Sequence, residues 1–187
     1  MIDKTQAGLT KTVVVIVITV VALVCAGVGI WWFKGSSSPD FGVASPAGPA
    51  KTAILIPGYG GGKEGFVELE QKLYEKGIPY KVLETGSGEG DINAYSRDLQ
   101  KLTEESPQPV AWIGYSMGGL IARNAYTENM MGKVSSITSW GSPINGTKVA
   151  DLASLVGECK DACSQMQTNS DFLKTLPRLS TKMAPWL

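Results

Sequence analysis

The sequence contains no histidine in any of its 187 positions. Histidine is the usual general base beside a catalytic serine and a common metal ligand. Only three cysteines are present, so a zinc site lacks its ligands. No metal or cofactor is therefore predicted, and any serine nucleophile must act without an imidazole from these 187 residues.

The sequence also lacks an excess of charge of either sign. It has 17 basic and 17 acidic side chains, and residues 51–187 hold 14 and 15 of them. A protein surface that binds nucleic acid needs basic residues in excess to neutralise phosphates. Nucleic acid is therefore not predicted as a partner.

One long apolar run covers residues 12–33, which carry no charged side chain. As a helix it would reach roughly 33 Å, enough to cross a hydrocarbon core of about 30 Å, and Trp31 and Trp32 stand where an interfacial aromatic belt is expected. The alternatives are a buried core helix, for which the run is too long and too uniform, and a cleavable signal peptide, for which no small-x-small site follows promptly. We therefore predict a transmembrane signal-anchor helix over 12–33.

The charges that precede this run predict its orientation. Lys4, Lys11 and the free N-terminus outweigh Asp3, and cytoplasmic flanks of membrane helices carry the positive excess. We expect a single-pass protein of the cell membrane with residues 1–11 in the cytoplasm and an extracytoplasmic domain.

Residues 34–50 consist almost entirely of Gly, Ser, Pro and Ala and are predicted to form a flexible linker. Residues 51–187 are long enough for one domain with a core. The predicted strands are Ala53–Ile56, Tyr80–Leu83, Val110–Ile113 and Val134–Trp140, and the predicted helices are Glu64–Lys76, a helix capped by Asp91 that runs to about Glu105, and one that includes Leu120–Ala125. This alternation predicts an α/β fold with a mostly parallel sheet, helices on both faces and a site at the carboxyl ends of the strands.

Ser116 lies between a predicted strand and a predicted helix, in Gly114-Tyr115-Ser116-Met117-Gly118-Gly119. A Gly-x-Ser-x-Gly motif in that setting is typical of a nucleophile elbow, in which the serine occupies a strained turn at the edge of the sheet. Gly114 and Gly118 leave room for the strand and the helix because they have no Cβ. The helix N-terminus would point its N–H groups at an oxyanion. The alternative is an ordinary glycine-rich turn, since so short a pattern also arises by chance.

A second glycine-rich segment, residues 57–63, follows the first strand. A phosphate-binding loop requires glycine at position 57 and Ser or Thr after the lysine, whereas this chain has Pro57 and Glu64. We expect instead that Gly58 and Gly60 let the backbone approach a substrate and that the N–H of Tyr59 donates to the oxyanion.

Two other segments have more than one interpretation. The loop 86–90 is expected either near the mouth of the site or as a plain solvated turn. Cys159 and Cys163 favour a local disulfide in an oxidising compartment, with two reduced thiols as the alternative. Because an ideal helix keeps the Cβ atoms of residues i and i+4 too far apart, the disulfide requires a bent or looped segment.

Together these segments resemble the bacterial lipase and esterase family of α/β-hydrolases. The matching segments follow the family's order and cover nearly all of residues 51–187: residues 54–61, residues 114–123, Trp140-Gly141-Ser142-Pro143 with Gly146-Thr147, the pair Cys159 and Cys163, and Ser170-Asp171-Phe172-Leu173. The resemblance implies hydrolysis of carboxylic, acylglycerol-type esters through an acyl-enzyme on Ser116. It also implies that the N–H groups of Tyr59 and Met117 form the oxyanion hole, and that the partner is an ester or lipid substrate.

The chain departs from the family pattern in its histidines. Many relatives carry histidine in the first glycine loop and after the Gly-Ser-Pro turn, where this chain has Pro57 and Ile144-Asn145, a difference expected to affect mainly the shape of the pocket. The family's catalytic acid follows a strand expected near Pro185-Trp186-Leu187, and its histidine lies further on. We therefore expect these 187 residues to be a truncated, inactive hydrolase.

Asp171 is a tempting substitute for the missing base. The matching aspartate of the family is not the triad acid, however, and a carboxylate alone has too low a pKa to serve serine well. Helix capping or a loop hydrogen bond is the expected role of Asp171.

A second hypothesis is a catalytically silent binding module, tethered to the membrane, that holds acyl ligands in the same cleft. The sequence does not separate esterase from lipase, thioesterase or acyltransferase, because all of them use a serine acyl-enzyme.

Overall fold

The computed structural model describes residues 41–44 and 48–177, which all belong to the unit Pro39–Leu187. The predicted cytoplasmic tail 1–11 and transmembrane helix 12–33 lie outside the described residues. Within the part of the chain that is described, no helix is long and apolar enough to cross a membrane.

The described residues form a sheet of five strands, in the order β1-β5-β4-β2-β3. Strands β3, β2, β4 and β5 run parallel, and β1 pairs antiparallel with β5 at the edge. The parallel part confirms the predicted sheet, and each predicted strand is present to within one or two residues. The strands are β1 (Phe41–Ala44), β2 (Thr52–Ile56), β3 (Tyr80–Val82), β4 (Val110–Tyr115) and β5 (Val134–Trp140).

Strand β1 lies in the segment that we expected to be linker. Its register pairs Phe41 with Ser139 and Ala44 with Ser136. Phe41 and Val43 belong to residue types that are enriched in strands, and the backbone of β5 supplies the hydrogen-bonding partners, so this short part of an otherwise Gly-, Ser- and Pro-rich segment forms a strand. Residues 34–40 and 45–47 of the predicted linker lie outside the described part.

Six α-helices connect and cover the strands within the described residues. The predicted helix from residue 64 divides into a 3₁₀ turn, Glu64–Phe66, and α1. The Asp91 side chain caps α2, as predicted, by accepting a hydrogen bond from the Asn93 N–H at 2.9 Å. The last three helices were not predicted. The six are α1 (Val67–Glu75), α2 (Ile92–Glu104), α3 (Met117–Ala125), α4 (Lys148–Leu155), α5 (Asp161–Gln165) and α6 (Asp171–Thr175).

Helices cover both faces of the sheet, as the alternation predicted. On one face Leu55 of β2 packs in a cluster with Phe66 and Leu73. On the other face Ile54 and Trp112 pack in the larger cluster, to which α2 and α3 contribute. Successive residues of a strand point to opposite faces, so a central strand such as β2 is buried on both sides and reads as a continuous apolar run. This packing fixes the carboxyl ends of β2 and β4, where the candidate site lies.

Candidate active site

Ser116 forms the sharp turn between β4 and α3. Its backbone has φ 52° and ψ −121°, a positive φ that residues with a Cβ rarely adopt. The turn is held by two backbone hydrogen bonds, from the Ser116 N–H to the Trp140 carbonyl at 2.8 Å and from the Gly119 N–H to the Ser116 carbonyl at 3.1 Å. The strand, strained turn and helix predicted from the motif are therefore all present.

Gly114 and Gly118 are required by close packing around this turn. A Cβ added to Gly114 would lie 2.6 Å from the carbonyl carbon of Gly118 and from the nitrogen of Gly119. A Cβ added to Gly118 would overlap the carbonyl oxygen of Ile56 in β2. The two glycines thus let β4 approach α3 and let α3 approach β2, as the motif predicted.

The glycine loop after β2 lies directly against the elbow. A Cβ on Gly58 would stand 3.0 Å from Cβ of Ser116 and 3.2 Å from the carbonyl oxygen of Tyr115. Gly60 has a φ of 88°, which only glycine adopts readily. Tyr59 lines the same cavity as Ser116. The structure therefore brings together the predicted oxyanion loop and the predicted nucleophile.

The helix that follows Ser116 supplies further donors. The first N–H groups of a helix have no acceptor within it, and Met117 contributes the first of these in α3. The positive end of the helix dipole favours negative charge at the same place. The placement of Met117 is therefore compatible with the expected second donor of an oxyanion hole.

The loop 86–90 packs backbone to backbone on residues 57–63, the predicted oxyanion loop. A Cβ on Gly61 would overlap the carbonyl oxygen of Gly86, and a Cβ on Gly88 would stand 2.8 Å from the nitrogen of Gly60. The Glu89 carbonyl accepts a hydrogen bond from the Ala162 N–H of α5 at 3.2 Å. The loop thus connects the oxyanion loop to α5, in agreement with the expectation that it lies near the site.

The pKa of the Tyr59 hydroxyl depends on the burial and charges around the loop after β2. Burial raises the pKa of its hydroxyl above the usual 10.0, and the nearby negative charge of Glu89 raises it further. Tyr59 is accordingly neutral at physiological pH, and Glu89 contributes negative potential beside the oxyanion loop.

The turn after β5 supports the elbow in a way that the sequence did not reveal. The Ser142 hydroxyl donates to the carbonyl oxygen of Ser116 at 2.7 Å and forms a short hydrogen bond with the Ser139 hydroxyl. A Cβ on Gly119 would overlap both hydroxyls. The Gly141-Ser142-Pro143 turn marked this segment in the sequence, but the contact with Ser116 depends on the tertiary structure.

Ser116 opens into a cavity of about 460 Å³. Its walls come from the oxyanion loop, the turn after β5, helix α4 and the segment around α5, and most of the side chains are apolar or uncharged. One acidic residue, Glu158, belongs to the lining, and among residues 48–177 no Lys or Arg does. The lining residues are Tyr59, Ser116, Gly141, Pro143, Thr147, Val149, Ala150, Ala153, Glu158, Cys163 and Met166.

Cys159 and Cys163 form a disulfide with their Cα atoms 5.2 Å apart. The chain between them is not a continuous helix, because α5 begins only at Asp161, which provides the looped segment that such a bridge requires. Cys163 is buried and lines the cavity. Through Cys163 the disulfide therefore forms part of the wall of the cavity that Ser116 also lines.

Asp171 does not line the cavity. It begins α6 and pairs with Lys174 at 2.8 Å, with its side chain 97% exposed. Hydrogen bonding to Lys174 and its positive charge hold the pKa of Asp171 below the usual 3.8. The cap of α6 is Ser170, whose hydroxyl accepts from the Leu173 N–H, so the expected capping role does not belong to Asp171. Its carboxylate instead accepts a surface hydrogen bond from Lys174.

No group of three or more Cys, Asp or Glu side chains among the described residues is arranged to hold an ion.

The described residues form an α/β protein in which a serine occupies a strained strand-to-helix turn at the carboxyl edge of a parallel sheet, the geometry that the predicted nucleophile elbow requires. A model of the alpha/beta hydrolase family matches residues 82–181. This match spans more than half of the sequence, so the chain belongs to the alpha/beta hydrolase family, as the resemblance predicted. No curated protein sequence matches the chain.

Solved structures share the fold. The mature form of the Bacillus licheniformis lipase BlEst2 is similar with a TM-score of 0.57 at 20% identity, over 74% of this chain and 64% of the lipase. The propeptide form of that lipase gives 0.55 at 20% identity, over 74% of this chain and 35% of the lipase. The metagenomic carboxyl esterase MGS0156 gives 0.57 at 15% identity, over 75% of this chain and 48% of the esterase. The chain thus spans less than two thirds of the length of these structures, and the likeness concerns the fold.

Proposed function

We propose that the domain is a serine carboxylic-ester hydrolase of the esterase or lipase type, with an acyl-enzyme on Ser116. The observation that carries the proposal is the strained Ser116 turn at a largely apolar cavity of about 460 Å³, which suits the acyl part of an ester. The similarity of the fold to a lipase and to a carboxyl esterase agrees with it.

In the proposed reaction the Ser116 hydroxyl oxygen attacks the ester carbonyl carbon. The N–H groups of Tyr59 and Met117 donate to the oxyanion, which the α3 dipole also favours. The alcohol leaves with a proton, the acyl group stays on Ser116, and water then attacks the acyl-enzyme to release the acid and restore the serine. Gly58, Gly114 and Gly118 allow the close packing that this geometry needs, and Gly60 supplies a positive φ in the loop.

The 187 residues contain no histidine, so they hold no imidazole to remove the Ser116 proton. An unassisted serine is a weak nucleophile. We therefore propose that these residues by themselves turn over esters slowly and that free imidazole in the buffer increases the rate of Ser116 acylation.

The proposal is tested by incubating the 187-residue chain with p-nitrophenyl butyrate, with and without imidazole, and mapping butyrylation by peptide mass spectrometry. We expect butyryl-Ser116 in the wild type, more of it with imidazole, and none at this position in Ser116→Ala. Ser87→Ala, which removes an exposed hydroxyl from the neighbouring glycine loop, is the matched control. Butyrylation spread evenly over surface residues, or release of p-nitrophenol at equal rates in Ser116→Ala, would refute the serine mechanism.

The second candidate is a catalytically inactive module that binds acyl ligands in the same cleft, and the absence of histidine from these 187 residues favours it. It predicts that a fatty acid raises the unfolding temperature of the chain while no butyryl-Ser116 forms under any condition. Thermal unfolding with and without fatty acid, together with the butyrylation map, separates the two candidates.

For location, we propose that residues 12–33 anchor the chain in the cell membrane with the hydrolase domain outside. The Cys159–Cys163 disulfide agrees with an oxidising compartment. Protease added to intact cells should degrade the domain; complete protection, with digestion only after lysis, would contradict this orientation.

A further inference from the structure

Glu158 is the acidic side chain in the lining of the Ser116 cavity, and among the described residues it meets no Lys or Arg there. The other lining side chains are apolar or uncharged at neutral pH. No salt bridge to Glu158 occurs within residues 48–177. A ligand in this cavity therefore faces one formal negative charge that is not neutralised by an adjacent cation of the described chain.

Two attachments hold the backbone at Glu158 in place. Its N–H donates to the Ala153 carbonyl at 3.0 Å, which ties it to the end of α4. The next residue, Cys159, is bonded to Cys163, which itself lines the cavity. These two attachments keep Glu158 at the wall where a ligand would lie.

A second negative charge, that of Glu89, lies near Tyr59. Glu89 is close enough to Tyr59 to raise the pKa of its hydroxyl, and its carbonyl is bonded to Ala162, next to Cys163. Glu89 therefore adds negative potential beside Tyr59, and Glu158 is the acid that reaches the lining.

We infer that Glu158 makes this cavity select ligands that carry a positive charge over ligands that carry a carboxylate. If the domain is the ester hydrolase proposed above, on which this step rests, its preferred substrates are esters with a cationic group. Esters whose acyl or alcohol part bears an anion are poor substrates. The carboxylate product is repelled by the same charge, which favours its release.

The expected size of the effect follows from the dimensions of the cavity. A sphere of this volume is roughly 10 Å across, so a charge inside lies within about 10 Å of the Glu158 carboxylate. Glu158 is exposed to water, which screens the interaction. We expect about a fivefold difference in Kd between a matched cation and anion at low salt, and less at high salt.

The test uses short water-soluble probes of one length, butylammonium, butanol and butyrate, with the full chain in zwitterionic nanodiscs. The readout is the ¹³C-methyl NMR signal of Met166, which lines the cavity, assigned with Met166→Leu. The exposed Met131 methyl is the internal reference. The Kd values come from the Met166 shift at two salt concentrations.

The inference predicts a lower Kd for butylammonium than for butyrate in the wild type, and a ratio near one in Glu158→Gln. Glu68→Gln, which removes an exposed acid of α1 on the opposite face of the sheet, should keep the wild-type ratio. Equal Kd values in the wild type, an unchanged ratio in Glu158→Gln, or no Met166 shift with any probe would overturn it. Because this readout needs no reaction at Ser116, its failure is distinguishable from a failure of the butyrylation experiment.

Discussion

The hydroxyl of Ser142 donates a hydrogen bond of 2.7 Å to the carbonyl oxygen of Ser116. This bond joins the turn after β5 to the backbone of the candidate nucleophile, whose positive φ is costly for a residue with a side chain. Ser139 is fully buried and contacts the same Ser142 hydroxyl. The strained turn is thus supported by a neighbouring loop as well as by its own strand and helix.

Ser142→Ala should therefore weaken both the fold and the elbow. It removes the donor to the Ser116 carbonyl and leaves the buried Ser139 hydroxyl without this partner, at an expected cost of about 1–2 kcal/mol in the free energy of unfolding. Urea unfolding measures the loss, and the butyrylation rate of Ser116 should fall with it. Ser87→Ala should change neither the unfolding free energy nor the butyrylation rate. If Ser142→Ala matches the wild type in both, the hydrogen bond from Ser142 does not stabilise the turn at Ser116.

Gly118→Ala tests the steric account of the elbow. The new Cβ would overlap the Ile56 carbonyl oxygen, so α3 must move away from β2, at an expected cost of about 3 kcal/mol. Gly65→Ala is the matched control, because its Cβ would lie 3.6 Å from the Tyr115 ring, an ordinary contact. Urea denaturation should place Gly65→Ala within about 0.5 kcal/mol of the wild type; equal losses in the two variants would contradict the packing argument.

The parts of this fold that the sequence predicted are those with local signals. β2 and β4 are short apolar runs, and Asp91 is a capping residue that immediately precedes its helix. Helix α4 was missed because it exposes Val149, Leu152 and Leu155, so its apolar residues do not mark a buried face.

The site residues likewise divide into those with a local sequence signal and those that only the tertiary structure brings to the site. The strained turn at Ser116 could be predicted from the adjacent glycines. The contact of Ser142 with Ser116 and the place of Glu158 in the cavity wall join residues distant in sequence. β1 likewise depends on β5, about 95 positions further along the chain. Such relationships become visible only when the sheet brings the segments together.

The acid sensitivity of the fold should depend on Asp91. Burial alone would raise the pKa of this carboxyl, but hydrogen bonds from the Asn93 N–H, the Gln165 amide and the Asn93 amide, with the charge of Arg97, outweigh it and lower the pKa below 3.8. The unfolded chain then takes up the proton more readily than the folded chain. The stabilisation by Asp91 is complete above the unfolded-state pKa of about 3.9 and is lost as the pH falls through the folded-state pKa.

Asp91→Asn keeps an N-cap acceptor and removes the titration, so it should flatten the fall in unfolding free energy between about pH 5 and pH 2. Urea titrations across this range measure the slope. The control is Asp171→Asn, which alters an exposed, solvent-screened pair with Lys174 and should change the slope much less than Asp91→Asn does. If Asp91→Asn retains the wild-type slope, the acid response belongs to other carboxyl groups.

The disulfide should stabilise the cavity wall as well as the fold. Closing so short a loop restricts the unfolded chain by about 2 kcal/mol, so the double variant Cys159→Ser with Cys163→Ser should lose about that much in urea unfolding. Dithiothreitol should lower the wild-type stability to the level of the double variant and leave the variant itself unchanged, which separates loss of the bridge from loss of the buried Cys163 side chain. Because the bridge fixes Glu158 beside the cavity, the double variant should also bring the butylammonium and butyrate affinities closer together. Wild-type unfolding that is insensitive to dithiothreitol would contradict a stabilising role for the bridge.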